Sequence, residues 1–116
     1  MRYFELSEFD SPDLPGSGEL MNKDLLAMLD TAREVAGIPF VITSGFRTVD
    51  HNKAVGGKPT STHLHGLAVD IKCRYSRNRM KIIEALLYVG FTRIGIAKDF
   101  VHVDIKSTGN EVIWVY

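Results

Sequence analysis

Two histidines and an aspartate stand in surroundings that suit a metal-binding site. His63 lies shortly before Asp70, which belongs to the β-like segment Leu67–Lys72, and His102 belongs to a second alternating segment, Phe100–Ile105. Alternate side chains of a strand share a face, so Asp70 and His102 can lie together if the two segments pair, with His63 closing over them. Two imidazoles and one carboxylate are the ligand set of a catalytic zinc, which keeps its fourth position for water. The alternative interpretation is that these three residues are common polar residues with no shared role.

The elements that must hold these side chains are predicted to form an α+β fold with a small antiparallel sheet and two main helices. Apolar residues at helical spacing predict one helix between the cap Asn22 and the stop Gly37, and a second between Ser76 and Gly90. Alternating or β-branched stretches predict five strands: Ile38–Thr43, Leu67–Lys72, Thr92–Ala97, Phe100–Ile105 and Val112–Tyr116. The last three strands are expected to form an antiparallel meander, with its final hairpin turn at Lys106–Asn110.

A long segment rich in small and polar residues, Ser44–Thr62, separates the first two predicted strands. A loop of about 19 residues is unusual inside a compact domain unless it is functional. Part of it, Val49–Val55, is predicted to be a short helix. We therefore expect an active-site loop here.

Composition limits the class of protein. The chain has 116 residues, 45% of them hydrophobic, with 14 basic and 14 acidic side chains, so residues 1–116 are predicted to be one domain. Zero net charge disfavours a nucleic-acid module, no stretch approaches the roughly 20 apolar residues of a membrane span, and the first ten residues lack the apolar region of a secretory signal. We expect a monomer that binds neither nucleic acid nor membranes.

The only cysteine, Cys73, is interpreted as an apolar filler.

Charge is nevertheless uneven along the chain. The stretch from Lys72 to Lys81 contains five basic residues and no acidic one. We interpret it as a solvated helix face, with attraction to an anionic polymer such as cell wall as the alternative.

Several motifs together carry a resemblance to a known family. Ser61–Ile71, with the sequence STHLHGLAVDI, resembles the S-x-H-x-x-G-x-A-x-D signature of the zinc D-Ala-D-Ala carboxypeptidase family, peptidoglycan peptidases whose fold is shared with the Hedgehog signalling domain. Ser44–Thr48 resembles the family's S-G-[YF]-R motif, and Phe100–Asp104 is similar to its C-terminal histidine motif. His51–Gly57 resembles the loop of small phage and bacterial members. The resemblance extends over about residues 20 to 106.

The resemblance implies a role for particular residues. His63, Asp70 and His102 would hold one Zn²⁺ per chain. Arg47 would polarise the scissile carbonyl and stabilise the oxyanion, and Ser61 would contact the bound substrate. A fixed guanidinium and a metal both act on charge that develops in the transition state. A surface salt bridge is the alternative role for Arg47.

Two acidic residues are candidates for the general base. Many family members have glutamate three residues before the last histidine, and Asp99 holds that place here. Asp104 lies two residues after His102 on the same strand face, about 7 Å along the strand. That position suits a partner that orients a ligand histidine. We predict Asp99 as the base and Asp104 as the orienting partner of His102.

The resemblance implies a zinc peptidase that hydrolyses peptidoglycan stem peptides, as a D-Ala-D-Ala carboxypeptidase or an L,D- or D,D-endopeptidase. Cytoplasmic synthesis without a signal peptide, action at the cell wall and a phage or prophage origin are expected. A non-catalytic zinc-binding module or phage structural domain with the same fold is the alternative. His65 is interpreted as a residue at the rim of the cleft, His51 as a hydrogen-bonding loop residue, and Trp114 and Tyr116 as core or edge packing.

Overall fold

A computed structural model describes residues 1–107 and 110–116, and this part of the chain contains three α-helices and a five-stranded sheet. The helices are α1 (Lys23–Ala36), α2 (Val49–Ala54) and α3 (Ser76–Tyr88). The strands are β1 (Ile42–Ser44), β2 (Ala68–Lys72), β3 (Arg93–Ile96), β4 (Phe100–Asp104) and β5 (Val112–Val115). Short 3₁₀ helices occupy Leu6–Phe9, Ser17–Leu20 and Thr62–His65. The α+β class predicted from the sequence is confirmed.

Helix α1 begins and ends at the predicted residues. The Asn22 side chain accepts hydrogen bonds from the backbone nitrogens of Asp24 and Leu25, which have no partner within the helix. Gly37 ends the helix with a φ of 70°, a left-handed conformation that favours glycine. The predicted cap of the second long helix is wrong, because Ser76 is the first helical residue of α3 and Tyr75 occupies the cap position.

The centre of the sheet is the antiparallel pair β2–β4. Strand order is β1-β2-β4-β3-β5, and Asp70 lies directly opposite His102 in the β2–β4 register. The predicted pairing of these two segments is therefore confirmed.

Two strand predictions need correction. The first strand is Ile42–Ser44 and not Ile38–Thr43. The Lys72 amide, at the end of β2, donates to the Val41 carbonyl, and residues before Val41 have no strand partner. The expected antiparallel meander is also wrong, since β5 pairs parallel to β3. Both edges of β4 are already occupied by β2 and β3, so β5 cannot pair with β4 and instead adds at the outer edge of β3. The predicted turn at Lys106–Asn110 includes residues 108–109, which lie outside the described part of the chain.

One face of the sheet packs against α1 and α3 to form the core. The strand side chains on this face are joined in one buried cluster with apolar side chains of both helices: Val69, Ile71, Val101, Val103, Leu25, Leu29, Ile82 and Leu86. Because strand side chains alternate, the residues between them, Asp70 and His102, must lie on the opposite face. The core therefore fixes the strands that position the candidate site. No helix in the described part of the chain combines the length and apolar character needed to cross a membrane.

Candidate metal centre

Three buried side chains converge on the sheet face opposite the core. His102 Nδ1 lies 2.9 Å from Asp70 Oδ1, and His63 Nε2 lies 3.3 Å from the same oxygen. The three residues can each offer one ligand atom with all ligand atoms within 4.8 Å of one another. Their exposed fractions are only 3% to 6%. The structure thus brings together the three ligands predicted from the sequence.

His63 reaches this cluster from the 3₁₀ helix that precedes β2. The Ser61 hydroxyl accepts a hydrogen bond from the His63 amide at the start of this helix, at 3.3 Å. Gly66 ends the helix with a φ of 67°, and an added Cβ there would overlap the Leu20 carbonyl. The glycine of the motif is therefore needed for both its conformation and the close approach of a neighbouring chain segment.

Hydrogen bonds fix which nitrogen of each histidine faces the cluster. His63 Nδ1 donates to the Gly45 carbonyl at 2.8 Å, since a carbonyl can only accept, and this leaves the Nε2 lone pair directed at Asp70. His102 Nε2 lies 2.8 Å from the Asp104 carboxylate, and in the tautomer in which it donates there the Nδ1 lone pair is directed at the same Asp70 oxygen. In the neutral histidines, two lone pairs and a carboxylate oxygen therefore face one another. Protons on the imidazoles would relieve this arrangement by hydrogen bonding to Asp70, and a metal ion would do so by contacting all three atoms.

The donor set and spacing fit zinc. Bonds of about 2.0–2.1 Å in tetrahedral geometry separate neighbouring ligand atoms by about 3.3 Å. The observed separations of 2.9 Å and 3.3 Å are close to this value. Two histidine nitrogens and one carboxylate oxygen are typical of catalytic zinc sites, in which the protein supplies three ligands. His63, Asp70 and His102 would therefore hold the ion.

The ionisable groups of the cluster stabilise one another's charged forms. Burial alone would raise the pKa of Asp70, but hydrogen bonds from His102 and His63 outweigh it and hold the pKa well below its usual range. Burial would lower the pKa of His102, but its bonds to Asp104 and Asp70 raise it. The pKa of Asp104 is lowered because hydrogen bonds from His102 and Arg93 outweigh burial. Without a metal, His102 therefore holds a proton more tightly than an ordinary histidine.

Arg47 lies at the edge of the cluster with its guanidinium held on three sides. Its Nη2 is 3.4 Å from Asp70 Oδ2, its Nε donates to the Ser44 hydroxyl at 2.9 Å, and its Nη1 donates to Asn52 Oδ1 at 3.2 Å. Asn52 is buried in α2, and its amide nitrogen donates to the Lys58 carbonyl at 2.9 Å. The short helix predicted inside the long loop thus positions the arginine. The salt bridge of Arg47 is therefore partly buried rather than at the surface, and its partner is the metal-ligand candidate Asp70.

A cavity of about 480 Å³ opens above the cluster. Its lining contains the three ligand candidates together with Arg47 and Ser61. The lining also includes cationic and aromatic residues: Lys58, Arg93, Lys106, Phe100, Trp114 and Tyr116. The cluster is therefore accessible to a ligand of peptide size.

Comparison with known protein families identifies the chain. The family model described as Peptidase M15 matches residues 3–104, which is most of the sequence. The chain belongs to the peptidase M15 family. A search of curated proteins found no match. Members of this family are zinc-dependent peptidases, so the chain belongs to a family of hydrolases, and its His63–Asp70–His102 cluster provides a group that can hold the metal.

The two acids considered as general base lie in different places in this M15 chain. Asp104 is buried, and Arg93 Nε donates to its Oδ1 at 2.6 Å while His102 Nε2 donates to its Oδ2. Asp99 is exposed in the tight turn between β3 and β4, and its carbonyl accepts from the Cys73 amide at 2.8 Å. Among the described residues that line the cavity, the acids are Asp70 and Asp104. The structure thus does not bring Asp99 together with the cluster.

Sequence reasoning missed the contribution of β5 to the M15 site. Trp114 and Tyr116 were interpreted as packing residues, yet both line the cavity, and the Trp114 ring lies 5.5 Å from the His102 ring. The signal that could have found this is Gly95, because a glycine inside a strand indicates the close approach of another group. A Cβ at Gly95 would lie 2.7 Å from atoms of the Trp114 ring. The family match ends before β5, so this contact lies beyond it.

The remaining predicted positions differ in their surroundings. Cys73 is buried in the core cluster, as expected for an apolar filler. His65 is exposed and is not among the described residues that line the cavity. The His51 amide donates to the Thr48 hydroxyl at 3.1 Å as part of the start of α2.

Proposed function

We propose that this protein is a zinc metallopeptidase that hydrolyses peptide bonds in peptidoglycan stem peptides. The observation that carries the proposal is the convergence of two histidine ring nitrogens on one Asp70 oxygen at the floor of an accessible cavity. We also propose that its fold is of the type shared by D-Ala-D-Ala peptidases and the Hedgehog domain. The resemblance of the two motifs around His63 and His102 supports both statements.

The roles of the surrounding residues follow from their contacts. Zinc supplies Lewis acidity and lowers the pKa of water that it binds. Arg47 presents a guanidinium beside Asp70, where a carbonyl oxygen would gain negative charge during peptide hydrolysis. Asn52 and Ser44 hold that guanidinium in place before substrate arrives, so little reorganisation is needed. Ser61 lines the cavity and is proposed to contact the substrate.

The general base is proposed to be Asp99, with Asp104 as the residue that orients His102. Both Asp104 oxygens already accept hydrogen bonds from His102 and Arg93, which supports the orienting role. Asp99 is adjacent to Phe100, which lines the cavity. The assignment requires the Asp99 carboxylate to turn from solvent toward that side of the cavity when substrate binds.

The charge of the cavity supports an anionic peptide as substrate. Its described lining contains four cationic side chains, Arg47, Lys58, Arg93 and Lys106, against two acids, although the chain as a whole is neutral. Stem peptides carry free carboxylates, which such a cavity would attract. Carboxypeptidase and endopeptidase cleavage are both compatible with this charge. We further propose that the protein acts at the cell wall as a monomer of phage or prophage origin, because the loop His51–Gly57 resembles small members of that kind.

The test is digestion of purified peptidoglycan with and without a metal chelator, with products measured by mass spectrometry. We expect new peptide termini that disappear with chelator and return when zinc is restored. The His63→Ala variant, which lacks one ligand, should give no products. The mass of the released fragments identifies the bond that is cleaved.

A non-catalytic zinc module is the second candidate, and the exposed position of Asp99 favours it. Metal binding at a one-to-one ratio without any product from peptidoglycan or synthetic stem peptides would establish that alternative. Absence of metal binding would contradict both candidates.

A further inference from the structure

Strand β5 places an indole ring against the metal-ligand candidate His102 from two strands away. Gly95 of β3 pairs with His102 of β4 on one side and with Trp114 of β5 on the other. Residues two strands apart are separated by about 9.6 Å between backbones, and an intervening side chain normally keeps them apart. Gly95 has none, and the Trp114 ring fills the gap and lies 5.5 Å from the His102 ring.

The same indole also covers the ion pair that orients His102. The Arg93 guanidinium lies 5.4 Å from the centre of the Trp114 ring, within the range of a cation–π contact. Arg93 Nε donates to Asp104, and Asp104 accepts from His102 Nε2. The Arg93 side chain is 17% exposed and that of Asp104 2% exposed, so this chain of contacts is shielded from water. Shielding strengthens charged hydrogen bonds because the local dielectric constant falls.

We propose that Trp114 is a positioning residue for the metal centre. It holds Arg93 against Asp104 and limits rotation of the His102 ring, so that Nδ1 stays directed at the ion. Gly95 is the second part of this arrangement, because only a residue without a side chain leaves room for the indole. The inference rests on the metal site of the proposed function but on no particular substrate.

The test measures metal binding rather than peptide cleavage. Cobalt(II) serves as the probe, because its visible absorption reports the geometry of its ligands and its unpaired electrons quench nearby indole fluorescence. The sequence contains a single tryptophan, so the fluorescence of the unmodified chain comes from Trp114 alone. We expect quenching to saturate at one cobalt per chain.

The variants separate positioning from general packing. Trp114→Leu should weaken cobalt affinity roughly tenfold, the lower end of the range for residues outside the ligand shell, and should change the visible spectrum. Trp114→Phe keeps an aromatic plane and should restore most of both. Val115→Ala is the matched control, since Val115 is the next residue of β5 and is 77% exposed. It should bind cobalt like the parent protein.

A second variant keeps the inference testable if Trp114→Leu does not fold. Gly95→Ala retains the indole but places a Cβ 2.7 Å from its ring atoms, so the ring must move away. Circular dichroism and thermal unfolding of the metal-free forms confirm folding. The inference is overturned if the folded Trp114→Leu or Gly95→Ala protein keeps both the parental cobalt affinity and spectrum. A parent protein that binds neither cobalt nor zinc would overturn the metal site itself, and the inference with it.

Discussion

The two faces of the β2–β4 pair differ in side-chain chemistry although they share the same backbone. Val69, Ile71 and Val103 face the helices and are fully buried in apolar contacts. Asp70 and His102, each adjacent to one of these valines, face the cavity and are also buried, with 2.9 Å between Asp70 Oδ1 and His102 Nδ1. A shift of one residue in register would exchange the two faces. The apolar face therefore fixes the register on which the metal ligands depend.

The largest effect is expected from changing adjacent residues on opposite faces. Asp70→Ala removes the carboxylate that both histidines approach, so we expect loss of stoichiometric metal and of turnover with the fold retained. Ile71→Ala should instead lower the free energy of unfolding by about 2–5 kcal/mol, as large-to-small core substitutions do. Elemental analysis measures the metal content of each variant, and denaturant unfolding measures its free energy of unfolding. Full metal retention by a folded Asp70→Ala protein would contradict the ligand assignment.

The next largest effect concerns Asp99, the proposed general base, which precedes β4 and lies on neither face of the β2–β4 pair. Asp99→Asn should lower kcat by about 10²- to 10⁴-fold, the range for a general base, while the metal stays bound. The measurement is turnover of a stem peptide at saturating zinc. Lys98→Ala, in the same exposed turn, is the matched control and should keep parental activity. Parental activity of Asp99→Asn would leave a substrate carboxylate or a water chain as the proton acceptor.

Arg47 tests the cavity face without removing a metal-ligand candidate, although it contacts Asp70. Arg47→Lys should keep zinc but lower kcat by about 10²- to 10³-fold, the scale of one lost oxyanion donor. Lysine retains the charge but cannot contact Ser44, Asn52 and Asp70 at once, because it lacks the planar fork. Steady-state kinetics with metal content measured in parallel give the answer. Unchanged kcat would show that Arg47 acts only in structure.

The comparison of the two faces also explains how much could be predicted from sequence. Alternation with a period of two is local, so the two faces of β2 and β4 and the placement of Asp70 and His102 on one of them were predictable. The Asn22 cap and Gly37 stop of α1 were predictable for the same reason. The place of β5 was not, because it depends on which sheet edge remains free after β2 and β3 have paired with β4. The role of Trp114 depends on such distant contacts and was missed with it, whereas that of Asn52 was missed although its contacts lie within six residues.

Asp104 lies on the same strand face as His102 and contacts this ligand candidate without being a ligand itself. Asp104→Asn should weaken zinc affinity about 10- to 100-fold, while kcat at saturating zinc should change less. Chelator competition measures the affinity, and Thr62→Val, which removes only a long 3.5 Å contact to Asp104, is the control. A dead Asp104→Asn enzyme with full metal would reverse the roles given to Asp99 and Asp104.

The smallest expected effect is a shift in pH dependence. The pKa of His102 is raised above its usual value because hydrogen bonds to Asp104 and Asp70 outweigh burial. Zinc must displace this proton. The affinity for zinc should therefore fall as the pH decreases, by about tenfold per pH unit for each displaced proton, and the fall should begin above the usual histidine pKa of about 6.5. The contribution of His102 to the stability of the metal-free protein should instead decrease as the pH rises. The contribution of a raised histidine pKa is complete below about pH 6.5 and is lost as pH rises through the folded-state value.

Asp104→Asn provides the decisive comparison for this pH effect. It removes one of the two carboxylates that raise the pKa of His102, so the loss of zinc affinity should begin at lower pH than in the parent protein. Asp104 and Asp70 have lowered pKa values, so their contribution to metal-free stability is present above about pH 4 and is lost as pH falls through their folded-state values. Zinc titrations between pH 5 and 8, paired with unfolding of the metal-free protein, measure both curves. If the two proteins lose zinc over the same pH range, Asp104 does not hold the proton on His102, and the polar face is organised by Asp70 alone.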